Sequence, residues 1–146
     1  ISANHFLKKS FSPKGHFAGP KPFSTFQKEI NRGYEVLKSL SKSDVGQSVV
    51  IQNGLILAVE AIEGTDEMIK RAGKLKFSGL GPILVKAPKI NQDMRFDQPV
   101  IGEQTIENAY KSGFSGIACK HKNVLIINLQ KVIKLAEKRQ ITLFGF

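Results

Sequence analysis

Apolar positions along the chain alternate between helical and strand spacing. Phe26, Ile30, Tyr34, Leu37 and Leu40 recur every three to four residues and define one face, so residues 25–41 are predicted to form an amphipathic helix. Ser24 precedes it, with Gln27 three positions later, the spacing of a capping box. Two β-rich runs then flank Asn53-Gly54 within residues 48–60. That dipeptide is a strong hairpin signal, because a type I′ turn needs positive φ at both central positions. Gly64 and Thr65 offer an N-cap for a second helix running to about Leu75, with Met68, Ile69, Ala72 and Leu75 inward. Residues 82–85 read as a short buried strand. A third helix is predicted over residues 104–112, with Ile106, Ala109 and Tyr110 on one face and Gly113 as its stop. Residues 116–119 and 124–127 read as strands. Asn128 caps a fourth helix to about Arg139, with Leu129, Val132, Ile133 and Ala136 inward, and residues 141–144 form a last strand. Helices alternating with strands and hairpins predict an α/β fold class, a mixed β-sheet covered by helices. Residues 1–23 follow neither period. With Phe6, Phe11, Phe17 and Phe23 and three prolines, they are expected to be an irregular N-terminal arm or interdomain linker that packs by its phenylalanines.

Composition narrows this picture. A chain of 146 residues, 41% of them apolar, is long enough for one domain with its own core, taken as residues 24–146. No apolar run approaches the roughly 20 residues that span a bilayer, and the first residues hold no apolar signal-peptide segment. The chain opens at Ile1 without a methionine, which suggests a domain cut from a longer protein, with processing as the alternative. The single cysteine, Cys119, excludes an internal disulfide and sits in an apolar run, so it reads as a buried thiol. The net charge is +10, unevenly spread. Residues 1–47 hold eight Lys/Arg against three Asp/Glu, while six of the other nine acids fall between Glu60 and Asp97. A basic domain has thus gathered its carboxylates into one interval. Basic charge suits nucleic acid, anionic lipid or phosphorylated substrates without choosing among them.

That interval ends in a loop of special composition, residues 86–102, bracketed by Pro88 and Pro99. Lys86, Lys89 and Arg95 suit phosphate oxygens, while Asp93 and Asp97, four apart, suit a divalent cation or an oriented water. A solvated, salt-bridged connection is the plain alternative. Upstream, dipole stabilisation of a helix start accounts for Glu67 and in part for Asp66, but not for Glu60 and Glu63. The same helix start offers backbone N–H groups to phosphate, and a bridging cation would reconcile phosphate with the carboxylates. His5, His16 and His121 have no metal-ligand spacing, and residues 79–82 are too short for a P-loop.

Two motifs carry a resemblance. Glu60-Ala-Ile-Glu-Gly-Thr-Asp66 and Gln92-Asp-Met-Arg-Phe-Asp-Gln-Pro99, in this order, closely resemble the C-terminal domain of a bacterial UDP-2,3-diacylglucosamine diphosphatase family of lipid A biosynthesis, the type distinct from the metallophosphoesterase enzyme. The likeness runs over about residues 23–146. It implies hydrolysis of the pyrophosphate of UDP-2,3-diacylglucosamine to lipid X and UMP with a divalent metal, usually Mg2+. It also implies an N-terminal domain, absent here, with the lipid between the two. By this resemblance Asp97 and Asp93 are expected to be catalytic. Lys86, Lys89, Arg95, Gln92 and Thr65 are expected to bind substrate, and Asp97, Asp93, Glu63 and Asp66 to hold metal. The implied setting is cytoplasmic, with peripheral contact to the inner membrane, a possible homodimer and no nucleic acid partner. The rival reading is a non-enzymatic basic module binding RNA or an anionic membrane surface, which the charge and the arm phenylalanines favour. Against it, the interval most like a site is acidic, whereas nucleic-acid modules cluster Lys/Arg with aromatics on one face. A third is a scaffold role, with the chemistry in the missing half.

Overall fold

The structure, a computed structural model, describes residues 8–89 and 98–146. Its elements in chain order are β1 (Lys9–Phe11), β2 (Gly15–Ala18), α1 (Phe26–Ser41), β3 (Ser48–Gln52), β4 (Leu55–Val59), α2 (Thr65–Gly73), β5 (Ile83–Lys86), β6 (Val100–Ile101), α3 (Glu103–Lys111), β7 (Gly116–Cys119), β8 (Leu125–Ile127), α4 (Leu129–Arg139) and β9 (Thr142–Gly145). Among the described residues they build a six-stranded sheet in the order β2-β9-β7-β5-β3-β4 and a three-stranded sheet in the order β1-β8-β6. The centre of the larger sheet is parallel, β5 beside β7 beside β9. β3 and β4 extend it as an antiparallel hairpin, and β2 closes the other edge antiparallel to β9. This is the expected mixed α/β architecture.

The pleat divides the core. Val49, Ile51, Ile83, Val85 and Ala118 face α1 and pack on Phe26, Ile30 and Leu37. Val50, Leu84, Ile117 and Leu143 face the other way, toward Met68, Ile69, Ile106 and Val132 of the remaining helices. Every residue of β3, β5 and β7 is buried, which is why these strands read as apolar runs and not as alternation. The hairpin forms as its sequence demands: Asn53 and Gly54 have φ of 54° and 76°. Buried Glu29 of α1 accepts the Gly54 N–H at 2.7 Å and ties the turn to the helix.

Several local details differ from expectation. α1 begins after Thr25 with no side-chain cap, its first turn closing on the Phe23 and Thr25 carbonyls. α2 does take Gly64 as its N-cap, as expected, with a φ of 88° that favours glycine, and it too has no side-chain cap bond. α2 ends at Gly73, so Leu75 lies beyond the helix and is 52% exposed. Tyr110 is 46% exposed and carries the Arg139 guanidinium over its ring at 4.4 Å. Residues 9–11 and 15–18, inside the stretch read as an arm, pair with β8 and β9. Strands of three and four residues are too short to show a period. Phe17 and Phe23 do pack on the two cores, whereas Phe11 is exposed.

Candidate active site

β5 and β7 run parallel, and their carboxyl ends lie side by side where Lys86 pairs in register with Cys119. In open α/β sheets this is the end at which ligands bind. Lys86 closes β5 and shares the pleat of Leu84, so its side chain leaves toward α2. There its Nζ donates to Thr65 Oγ1 at 2.8 Å. Thr65 in turn donates its hydroxyl to Glu60 Oε1 at 2.9 Å. The result is a linear chain, ammonium to hydroxyl to carboxylate, at the N-terminus of α2. Glu60 is held from the backbone side as well. Its N–H donates to the Ser48 carbonyl at 2.9 Å, and Gly46 approaches its carbonyl so closely that a Cβ there would sit 2.1 Å from the oxygen.

Lys86 is only 5% exposed. Its flanks are Ser48 on β3 and Cys119 on β7, both buried. The Ser48 hydroxyl has no hydrogen-bond partner among the described residues, an uncommon state for a buried polar group. Burial holds the Lys86 ammonium below the ordinary lysine range, and the nearby Glu60, Cys119 and Asp66 only partly offset this. Burial pushes the Cys119 thiol up to about 12, against a weaker pull from Lys86. Cys119 is therefore a protonated core thiol, as its apolar setting in the sequence predicts.

The other expected site residues divide. Thr65 touches Lys86 directly, and Asp66, exposed in the first turn of α2, is within its electrostatic reach. Glu63 turns elsewhere, accepting the Ala61 N–H at 2.8 Å and pairing with Arg71 at 3.4 Å. Lys89 pairs with Asp44 at 2.7 Å, three residues beyond the end of β5. Asp93, Asp97, Arg95 and Gln92 lie outside the described residues. Glu60 is the member that spacing alone did not assign. Its signal was a carboxylate before a helix start, too far upstream for the dipole to explain.

Among the described residues, no three or more His, Cys, Asp or Glu side chains are grouped to hold a metal ion. Magnesium takes one or two carboxylates and completes its shell with water and substrate phosphate. Asp66 fits that donor chemistry, and the sequence supplies Asp93 and Asp97 among the residues after β5. What the described part can do chemically is hold an anion: a desolvated ammonium and a helix N-terminus meet at one strand end, with the exposed Asp66 carboxylate beside them.

Residues 13–144 match the family model described as LpxI C-terminal domain. The UDP-2,3-diacylglucosamine pyrophosphatase LpxI of Caulobacter vibrioides is 33% identical over 149 residues, an alignment covering 98% of this chain and 53% of that protein. The chain spans about half the length of this curated relative.

Proposed function

Because the chain belongs to the LpxI C-terminal domain family, we propose that it is the C-terminal half of a hydrolase that cleaves the pyrophosphate of UDP-2,3-diacylglucosamine in lipid A biosynthesis, giving lipid X and UMP. The observation that carries the reading is the Lys86 ammonium, buried at the carboxyl end of β5 and bonded to Thr65 at the start of α2. A buried cation with so little protein counter-charge suits a phosphate oxygen as its remaining partner. The reaction forms one P–O bond to water and breaks one P–O bond of the bridge, so negative charge grows on the departing phosphate. On this reading Lys86 and the first N–H groups of α2 take that charge in a partly dry site, where such contacts are strongest. Asp66, Asp93 and Asp97 would hold Mg2+, which when bound neutralises phosphate charge and lowers the pKa of a bound water.

The full-length protein is expected to release UMP from UDP-2,3-diacylglucosamine in a metal-dependent manner. Residues 1–146 alone are expected to do so far more slowly, because the lipid is taken to lie between two halves. No release by the full-length protein with magnesium would remove the reading, and equal turnover by both would show the other half to be dispensable.

Contact with an anionic bilayer belongs to the same reading. No described helix is long and apolar enough to cross a membrane. Between α2 and β5, however, Leu75, Phe77 and Leu80 stand exposed. Buried Gln52 pins this loop, bonding the Phe77 N–H and carbonyl and the Leu80 carbonyl at 2.7–2.9 Å. Lys70, Lys74, Lys76 and Lys111 line an adjoining groove of about 610 Å³. Apolar tips amid lysines suit an interfacial anchor. Co-sedimentation of the full-length protein with phosphatidylglycerol vesicles should weaken roughly tenfold in the Phe77→Ser/Leu80→Ser double variant, given the apolar area removed. Unchanged retention would place the anchor elsewhere.

A further inference from the structure

We propose that Glu60 is a positioning residue: acting through Thr65, it fixes the Lys86 ammonium at the N-terminus of α2, ready for a phosphate oxygen of the substrate. The inference rests on the pyrophosphatase reading and adds to it a residue with no substrate contact of its own. A threonine hydroxyl has one proton and two lone pairs. Glu60 Oε1 accepts that proton at 2.9 Å. The oxygen's lone pairs are then presented to Lys86, whose Nζ donates at 2.8 Å. The direction of each bond follows from the charges, since a carboxylate only accepts and an ammonium only donates. Without Glu60 the Thr65 hydroxyl is free to rotate, and the ammonium loses the anchor that sets its remaining two N–H bonds.

Three features of the fold show that this arrangement is constrained. The Glu60 N–H is tied to the Ser48 carbonyl, so the carboxylate starts from a fixed backbone. Gly46 lets the chain pass close to the Glu60 carbonyl, where a Cβ would not fit. The Lys86 flanks give its ammonium no competing bond: Cys119 is a buried, protonated thiol, and the Ser48 hydroxyl is buried without a partner among the described residues. Thr65 is thus the bond that aims Lys86, and Glu60 orients Thr65. Asp66, one residue along, is exposed and acts on Lys86 only through the field.

A purely electrostatic role for Glu60, balancing a buried cation, makes a different forecast, and conservative variants separate the two. Glutamine keeps an acceptor oxygen for Thr65 but no charge. Serine keeps the Thr65 hydroxyl, and valine keeps only its shape. In the full-length protein, with UDP-2,3-diacylglucosamine and magnesium, Glu60→Leu and Thr65→Val are each expected to lower kcat/KM by about 10- to 100-fold, the range for losing a bond to a charged group. Glu60→Gln and Thr65→Ser should stay within about threefold of wild type, as the bond survives in both. The Glu60→Leu/Thr65→Val double variant should be little worse than either single, because both remove the same device. Affinity for inorganic pyrophosphate, read by calorimetry, should follow the same order without turnover. Wild-type protein that releases no UMP would remove the underlying reading. Active wild type with Glu60→Gln as impaired as Glu60→Leu would overturn the positioning role in favour of charge balance. Additive losses in the double variant would overturn the coupling through Thr65.

Discussion

Asp97→Ala and Asp93→Ala in the full-length protein are each expected to lower kcat by roughly 100-fold or more, the loss typical of a key electrostatic group. Both aspartates belong to the Gln92–Pro99 motif, which follows in sequence the strand β5 that ends at Lys86. The chain is strongly basic, yet it keeps these carboxylates in the segment that follows its buried ammonium. On the proposed function a pyrophosphate would account for both charges at once: the ammonium would meet phosphate directly, and the aspartates would meet it through magnesium. Lys89→Ala and Arg95→Ala should cost less and act partly through KM, because phosphate binding serves ground and transition states alike. For Lys89 the pair with Asp44 already occupies part of the side chain. Steady-state hydrolysis with magnesium decides the matter. Near wild-type kcat in both aspartate variants, with an unchanged metal requirement, would move the centre to Glu60 and Asp66 or to the other half of the protein.

The sequence made the hairpin, the four helices and the central strands readable because each follows from local chemistry. Asn53-Gly54 needs positive φ, Gly113 ends α3 with a φ of 80°, and β5 is apolar because helices cover both faces of the sheet. The misplaced residues depend on long-range packing. Leu75 has the spacing of an inward residue, but α2 stops at Gly73, whose missing Cβ lets Ser112 come close. Tyr110 has inward spacing too, yet it serves as a platform for Arg139, which reaches across from α4 to hold Glu107 at 2.7 Å. The site was half legible for the same reason. The 60–66 motif marked Thr65 and the charged composition of residues 86–102 marked Lys86, which are 21 residues apart. Their contact through a hydroxyl, with Glu60 behind it, needed the pleat of β5 and the start of α2 to be brought together. Glu63, in the same motif, is two residues from Thr65 but turns to Arg71. Cap positions were legible at α2 and α4, where Gly64 and Asn128 are the N-caps as expected, while α1 starts one residue later than Ser24 implies, after Thr25; what the sequence did not show is that none of the three makes a side-chain cap bond.

Lys86→Met in the full-length protein is expected to separate activity from stability. kcat/KM should fall by roughly 100-fold or more, as for a cation aimed at developing phosphate charge. Stability should be unchanged or higher, since replacing a buried charge by an apolar side chain of similar length is often neutral or stabilising. The reason lies in the sign of the shift. Burial outweighs Glu60, Cys119 and Asp66 and leaves the folded-state pKa of Lys86 lowered. Between the folded and the unfolded pKa the unfolded chain binds more protons at this residue, so its contribution to stability improves as pH rises through that window. Below it the burden of the buried ammonium is fully present, and there the methionine variant gains most. Its advantage over wild type should therefore be larger at neutral pH than at alkaline pH, which thermal melts at both can read. Activity runs the opposite way. The working form of Lys86 is protonated, so wild-type kcat/KM should decline on the alkaline side below the pH at which an ordinary lysine titrates. A residue kept for packing would show the reverse pattern, a destabilised variant with turnover intact, and that result would remove Lys86 from the site.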